Sequence, residues 1–238
     1  MMVGIDAKKN LDFVLGLVQM SLFSTEATLQ FNPDGIKVNI HDIANICFGC
    51  LKYNKFSFVN YDVSSPEKIR INLKELKTII NKIKTGTFFF IYENGKFYVS
   101  VVGKTTKKFE LAIYDDSENS VEYDREYEYK GVVDTEDILE AVEDTSYIQT
   151  GIIFLMEDKL SINTGDEMKK ATILVNMEGN IPQGSKSTYS QDYVQKIFSK
   201  KVTEKSVVGF KKDFPLLVIF QNENIELKYY LAPRISDD

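Results

Sequence analysis

The chain has 238 residues, with 29 basic and 35 acidic side chains (formal net charge −6), one histidine, two cysteines and no tryptophan. One histidine excludes a histidine metal triad or a paired-histidine acid/base system, and two cysteines exclude a disulfide framework or a four-thiolate zinc site and fit a reducing compartment. No apolar run approaches the roughly 18–20 residues of a membrane span, no signal-peptide pattern opens the chain, and net acidity argues against a nucleic-acid partner.

In chain order, a short strand ending at Ile5-Asp6 leads into a helix whose apolar residues Leu11, Val14, Leu15 and Val18 are spaced to face a core. Strands over 27–31 and 36–40 flank Asn32-Pro33-Asp34-Gly35, a turn in which Pro presets φ and Gly accepts positive φ. His41-Asp42 follows with no nucleophile or oxyanion partner and reads as a turn or surface feature. Cys47 and Cys50 form a C-x-x-C inside a strand-like run over 45–51, so the two sulfurs point to opposite faces. Leu73, Leu76, Ile80 and Ile83 follow 3-4-3 spacing and predict an amphipathic helix. Strands over 88–92, 97–101 and 109–114 come next.

Residues 115–128 (DDSENSVEYDREYE) hold seven acids and one base without apolar periodicity, and read as an extended surface connector. Beyond it the order of the first half returns. A strand ends at Val133-Asp134, and a helix carries Ile138, Leu139 and Val142. Strands over 152–156 and 160–164 follow, then a helix with Ser190 as N-cap and Tyr193, Val194 and Ile197 on one face. Strands over 207–210, 216–220 and 226–231 close the chain. The expectation is an α+β protein of two similar domains, 1–114 and 129–238, joined by the connector 115–128, with mostly antiparallel strands.

No arrangement of residues makes an active site. Asp134, Glu136, Asp137, Glu140, Glu143 and Asp144 spread around a helix instead of converging on a cation, and no glycine-rich phosphate loop occurs. No catalytic residue, metal or cofactor is expected. Lysines do gather on two predicted helices: Lys77 and Lys84 with Lys74 and Lys82, and Lys196 and Lys200 with Lys201.

The run Leu227-Lys228-Tyr229-Tyr230-Leu231-Ala232-Pro233-Arg234-Ile235 resembles the C-terminal signature of the DNA sliding clamps of the proliferating-cell nuclear antigen (PCNA) family. Asp34-Gly35-Ile36 with Asp42, the segment Ser187-Thr188-Tyr189-Ser190-Gln191-Asp192-Tyr193, and Asp213-Phe214-Pro215-Leu216 are similar to further family patterns. With the duplicated halves, the resemblance covers essentially the whole chain. Length and Lys/Ile/Asn richness are in keeping with an archaeal or viral source.

The resemblance implies a trimeric ring, antiparallel sheets outside and helices inside, closed head to tail around double-stranded DNA without reading sequence. Lys8, Lys9, Lys77, Lys84, Lys196 and Lys200 would face the phosphates. The strand over 107–114, with Lys107, Phe109, Leu111 and Ile113, would pair with 170–177 of the next subunit, with Ala171, Ile173 and Val175. DNA polymerase, ligase, flap nuclease and clamp loader would dock through short peptides. The matching pocket residues are Ile46, Phe48, Val121, Tyr123, Pro215, Ala232 and Pro233, Val121 and Tyr123 being the apolar side chains of a charged stretch. The role is a processivity factor with no membrane partner. It would act in the cytoplasm beside the nucleoid of an archaeon, or in a nucleus if the source is eukaryotic or viral.

Two features depart from the family pattern. The third helix carries Glu136, Glu140 and Glu143 without a base, and the first helix offers Asp12, Gly16 and Gln19 where bases are usual. A heterotrimer, a checkpoint-type clamp, a non-ring adaptor and a metal-holding enzyme therefore stand as alternatives.

Overall fold

The structure is a computed structural model that describes residues 1–83, 86–103, 105–115, 125–148 and 150–234. It separates into two compact units. One holds Met1–Ile43, Gly49–Glu122 and Asn222–Leu227, and the other holds Ala44–Phe48, Tyr123–Gln221 and Lys228–Asp238. Two short segments are thus exchanged relative to a single cut in the connector.

The first half of the chain, which supplies most of the first unit, runs β1 (Met2–Asp6), α1 (Leu11–Met20), β2 (Glu26–Asn32), β3 (Gly35–His41), β4 (Cys47–Asn54), β5 (Asn60–Asp62) and β6 (Glu67–Asn72). It continues with α2 (Leu73–Ile80), β7 (Thr87–Glu93), β8 (Lys96–Val101), β9 (Lys107–Leu111) and β10 (Ile113–Tyr114). One sheet has the order β5-β1-β7-β8-β9, all antiparallel. In the other, β2 lies between β3 and β6, and β10 joins the far side of β6.

The second unit repeats this plan with β11 (Gly131–Asp134), α3 (Thr135–Asp144), β12 (Gly151–Met156), β13 (Leu160–Gly165), β14 (Lys170–Val175) and β15 (Met177–Gly179). Then come β16 (Lys186–Ser190), α4 (Gln191–Ile197), β17 (Lys205–Gly209), β18 (Leu216–Gln221) and β19 (Ile225–Leu231), of which residues 225–227 fall in the first unit. Here β11 sits between β15 and β17 as β1 sits between β5 and β7, and β12 sits between β13 and β16 as β2 sits between β3 and β6. The duplication read from element order therefore extends to strand pairing.

Each unit is built on an aromatic centre. In the first, Phe31, Phe90 and Phe97 are fully buried, with Phe90 and Phe97 ring centroids 5.5 Å apart. In the second, Phe154 lies 5.8 Å from Tyr189 and 5.7 Å from Phe210. Each buried ring contributes about 1.5–3 kcal/mol of apolar transfer free energy.

Helix starts follow from short polar caps. Asn72 Oδ1 accepts from Glu75 N at 3.0 Å ahead of α2, and Asp134 Oδ1 accepts from Glu136 N at 2.9 Å ahead of α3. Ser190 occupies the cap position of α4, but its side chain makes no capping hydrogen bond. Gly35 is required where it stands: a Cβ there would overlap the Tyr53 carbonyl oxygen.

Three expectations are corrected. The core face of α1 is Phe13, Gly16, Leu17 and Met20, while Leu11 is exposed and Val14, Leu15 and Val18 are half-buried. The helix is apolar on nearly all sides, so spacing alone selects the wrong stripe. The residues read as one strand over 109–114 form two. The chain leaves β9 after Leu111, and Ile113 in β10 pairs with Ile71 of β6 in the other sheet. Finally, Ile83 lies beyond the end of α2, so that helix buries Leu73, Leu76 and Ile80 only.

Candidate functional site

Three surfaces carry the residues singled out in the sequence. The first is an apolar patch on the second unit. The Ala232 amide donates to the Ile46 carbonyl at 2.8 Å, which brings the residues just before β4 beside the residues just after β19. Phe48 is buried against Tyr230, with ring centroids 6.1 Å apart. Around these rings Ile46 is exposed, and Phe214, Pro215, Ala232 and Pro233 are half-exposed. The structure thus gathers five of the seven pocket residues into one region, while Val121 and Tyr123 lie outside the described residues.

Sequence reasoning missed the residue that ties this patch together. Tyr127 is 8% exposed, donates its phenol to the Pro215 carbonyl at 2.8 Å, and packs against Phe214 (5.1 Å) and Tyr230 (6.1 Å). It belongs to the acidic run read as unable to bury anything. Its position among Glu126 and Glu128 masked it, although alternation of Tyr with Glu is the pattern of a segment with one buried side. Lys211 Nζ lies 4.3 Å from the Phe214 ring centroid, so the patch has a cationic rim.

The second surface is the set of lysines. Lys8 and Lys9 are exposed, and their amides donate to Asp6 Oδ1 at 2.9 and 3.0 Å, fixing the turn that precedes α1. Those two amide hydrogen bonds, more than the lysine charges, hold the Asp6 carboxyl below its usual pKa. Lys77 is half-exposed on α2 and Lys200 is exposed after α4. Lys196 is engaged within its own helix, its ammonium 2.6 Å from Asp192 and 5.1 Å from the Tyr193 ring centroid. Lys84 lies outside the described residues. The acidic α3 is partly compensated: Lys201 bonds both Glu136 (3.3 Å) and Glu204 (2.9 Å).

The third surface is a pair of open strand edges. β9 is outermost in its sheet, beyond β8, and β14 is outermost in its sheet, beyond β13. Among the described residues no strand pairs with their outer sides. β9 is fixed to its neighbours by Lys108–Glu93 (2.7 Å) and Lys96–Glu110 (3.0 Å), with Lys108 Nζ also 3.8 Å from the Tyr98 ring centroid. These exposed pairs add little stability. Lys107 and Phe109 are available on β9, as are Ala171 and Ile173 on β14, whereas Leu111 and Val175 are already buried within their own units. Ile113 is not on this edge, because it belongs to β10.

No group of three or more metal-ligating side chains occurs among the described residues, and no helix among them is long and apolar enough to cross a membrane. Both cysteines are buried and unbridged.

A duplicated unit, an open strand edge on each copy and an apolar patch at the chain end form a combination that can be compared with known proteins. No family model matches the chain. A curated relative, the DNA polymerase sliding clamp of Methanothermobacter thermautotrophicus, is 22% identical over 221 residues, 89% of each chain. That of Methanococcus maripaludis is 25% identical over 227 residues, covering 89% of this chain and 90% of its own. The crystal structure of PCNA from Thermococcus kodakaraensis superposes with a TM-score of 0.86 over 98% of this chain and 99% of that one, at 19% identity. The chain has the sliding-clamp fold, and the archaeal clamps are its homologues.

Two further clamp structures share the fold. A PCNA2–PCNA3 complex from Sulfolobus tokodaii matches with a TM-score of 0.86 and 20% identity, covering 98% of this chain and 99% of that one. The A. fulgidus PCNA bound to the C-terminal region of FEN-1 matches with a TM-score of 0.83 and 20% identity, covering 100% and 99%. The three matched structures cover 98–100% of this chain, and the two curated relatives 89% of it.

Proposed function

We propose that this chain is the subunit of a sliding clamp, a closed ring that encircles duplex DNA and tethers replication and repair enzymes. The observation that carries the reading is the repeated unit with an open edge at β9 and another at β14. A head-to-tail contact between unlike edges generates a ring when the rotation closes. Lysines on α2, after α4 and before α1 then attract phosphates weakly and without sequence preference, so the ring stays on DNA and still moves. A tethered polymerase works at a raised effective concentration at the primer end, and the clamp contributes no bond-making chemistry of its own.

The apolar patch of Ile46, Phe214, Pro215, Ala232 and Pro233 is the docking place for partner peptides, as its floor of buried Phe48, Tyr127 and Tyr230 rings suits a short hydrophobic plug. The A. fulgidus relative is bound to the C-terminal region of a partner, FEN-1, which supports docking of partner segments here. DNA polymerase, ligase, flap nuclease and clamp loader are the partner classes, at the site of the cell's DNA. The ring is built from copies of this chain or from this chain with related subunits, as in the PCNA2–PCNA3 complex.

The test is primer extension on a long singly primed template by an archaeal-type polymerase bearing a C-terminal clamp-binding peptide. Products are expected to lengthen several-fold with the protein present. Ile46→Asp is expected to remove that gain while leaving the assembly's mass unchanged. Product lengths indifferent to the wild-type protein would contradict the reading.

A further inference from the structure

We infer that a polar cavity beside the apolar patch receives a carboxylate of the docked partner peptide, an Asp or Glu flanking its apolar plug, and that Arg234 is the group that binds it. The inference rests on the docking reading above and adds a charge preference to it.

The cavity lies wholly within the second unit and has a volume of about 460 Å³. Part of its lining is a fixed frame. Gln191 is buried, its side-chain amide donating to the Thr145 carbonyl at 2.7 Å and its side-chain oxygen accepting from the Thr150 amide at 3.1 Å. The Thr150 hydroxyl is bonded to the Thr164 hydroxyl at 2.8 Å. These bonds tie the start of α4 to the residues that join α3 to β12, so the walls are set without a ligand.

The remaining polar lining is unspent. Arg234, Ser146, Ser190 and Gln195 face the cavity, and among the described residues their side chains make no hydrogen bond or ion pair. Ser190 precedes α4 without capping it. The Arg234 amide donates to the Thr188 carbonyl at 2.8 Å, which pins this residue beside β16. Its guanidinium lies over the start of β12: a Cβ on Gly151 would sit 3.3 Å from Nη1, and Gly151 pairs with Ser190. One guanidinium, two hydroxyls and a carboxamide thus open on one space. The planar fork of a guanidinium matches a carboxylate, and the hydroxyls and the amide can donate to the lone pairs left over.

The charges favour a carboxylate over a phosphate. Asp192 lines the same cavity, with Lys196 2.6 Å from its carboxylate. A phosphate dianion, or a DNA backbone with further charges on either side, would meet that acid with a single arginine to balance it. One carboxylate is balanced by one guanidinium.

Continuity with the patch names the source. Arg234 directly follows Ala232 and Pro233, which rim the apolar patch, and two extended residues span about 7 Å. A peptide whose plug fills the patch therefore brings its residues about two to four positions from the plug within reach of the guanidinium.

The test titrates synthetic peptides into the full-length protein by calorimetry at 50 and 500 mM salt. Each peptide carries an apolar plug with Glu, Gln or Lys three residues before it or three residues after it. At one of the two flanks Glu is expected to bind about three- to fivefold tighter than Gln at low salt, and Lys weaker than Gln by a similar factor. At high salt the spread should shrink below about twofold. Arg234→Gln is expected to abolish the preference while leaving the affinity of the Gln peptide unchanged, and Arg234→Glu to reverse it in favour of Lys. Ser146→Ala with Gln195→Ala should reduce the preference about twofold. Arg234 is exposed, so its variants should keep the wild-type unfolding midpoint, checked by circular dichroism. Peptides that bind without a charge preference at either flank, or a preference that survives Arg234→Gln, would overturn the carboxylate pocket and leave the apolar docking reading standing. An Arg234→Gln protein that loses duplex-DNA affinity but keeps the peptide preference would assign the arginine to DNA and overturn the inference. Failure of every peptide to bind would overturn the docking reading itself, and the pocket with it.

Discussion

Tyr127 offers the sharpest check on how the apolar patch is built. Its phenol donates to the Pro215 carbonyl at 2.8 Å, and its ring meets Phe214 edge-on at 5.1 Å and Tyr230 at 6.1 Å. Tyr127→Phe removes one neutral hydrogen bond, a loss of about 1 kcal/mol. Tyr127→Ala also removes the buried ring and its two aromatic contacts, for a total of about 3–5 kcal/mol. For a chain of this size those losses correspond to roughly 3 °C and roughly 10 °C in the unfolding midpoint. Because Tyr127 holds the Phe214-Pro215 wall, Tyr127→Ala should also weaken a partner peptide about tenfold, and Tyr127→Phe no more than about threefold. Thermal unfolding followed by circular dichroism, and calorimetry with a peptide carrying an apolar plug, read the two effects. A Tyr127→Ala protein within about 1 kcal/mol of wild type would refute the anchoring role. Equal losses for the two variants would refute the division between ring and phenol.

Two further outcomes follow from local electrostatics. Asp6 accepts the amides of Lys8 and Lys9, which depresses its folded-state pKa. Its contribution to stability is therefore complete above the ordinary carboxylate range and lost as pH falls through the folded value. Asp6→Asn should reduce the drop in urea midpoint between pH 5 and pH 2.5, and an unchanged drop would contradict the assignment. Asp192 holds the Lys196 ammonium at 2.6 Å. Asp192→Asn should release that cation and remove a carboxylate from the same surface, raising duplex-DNA affinity about two- to fivefold at 50 mM salt and steepening its salt dependence. An affinity that is unchanged, or that does not respond to salt, would remove Lys196 from the DNA-facing set.

The duplicated architecture is legible in sequence because order and spacing repeat, and because a turn such as Asn32-Pro33-Asp34-Gly35 acts locally, whereas the cap read at Ser190 makes no capping hydrogen bond and the one at Asp134 was not read. Pairing preserved that order, β1 beside β7 in one unit and β11 beside β17 in the other. What sequence did not disclose depends on neighbours distant in the chain. The choice between the two apolar stripes of α1 is made by what lies beneath the helix: a Cβ at Gly16 would meet Leu51 Cδ1 at 2.6 Å. The break between β9 and β10 arises because Ile113 finds Ile71 on a strand forty residues earlier. Tyr127 looked solvated among acids because its partners, Phe214, Pro215 and Tyr230, lie about ninety to a hundred residues away. Net charge, the first quantity read, was the least informative. Summed over the chain it hid lysines gathered on α2 and beside α4, and it hid carboxylates gathered on α3.

The central claim is topological, and so is its most direct measurement. Labelled protein is loaded onto nicked circular plasmid with a clamp loader, washed in high salt, and counted on DNA before and after a single restriction cut. A ring that encloses the duplex stays on the circle through the wash and runs off once ends are made. Protein that never survives the wash, or that remains bound after cutting with the ends unblocked, would contradict the account.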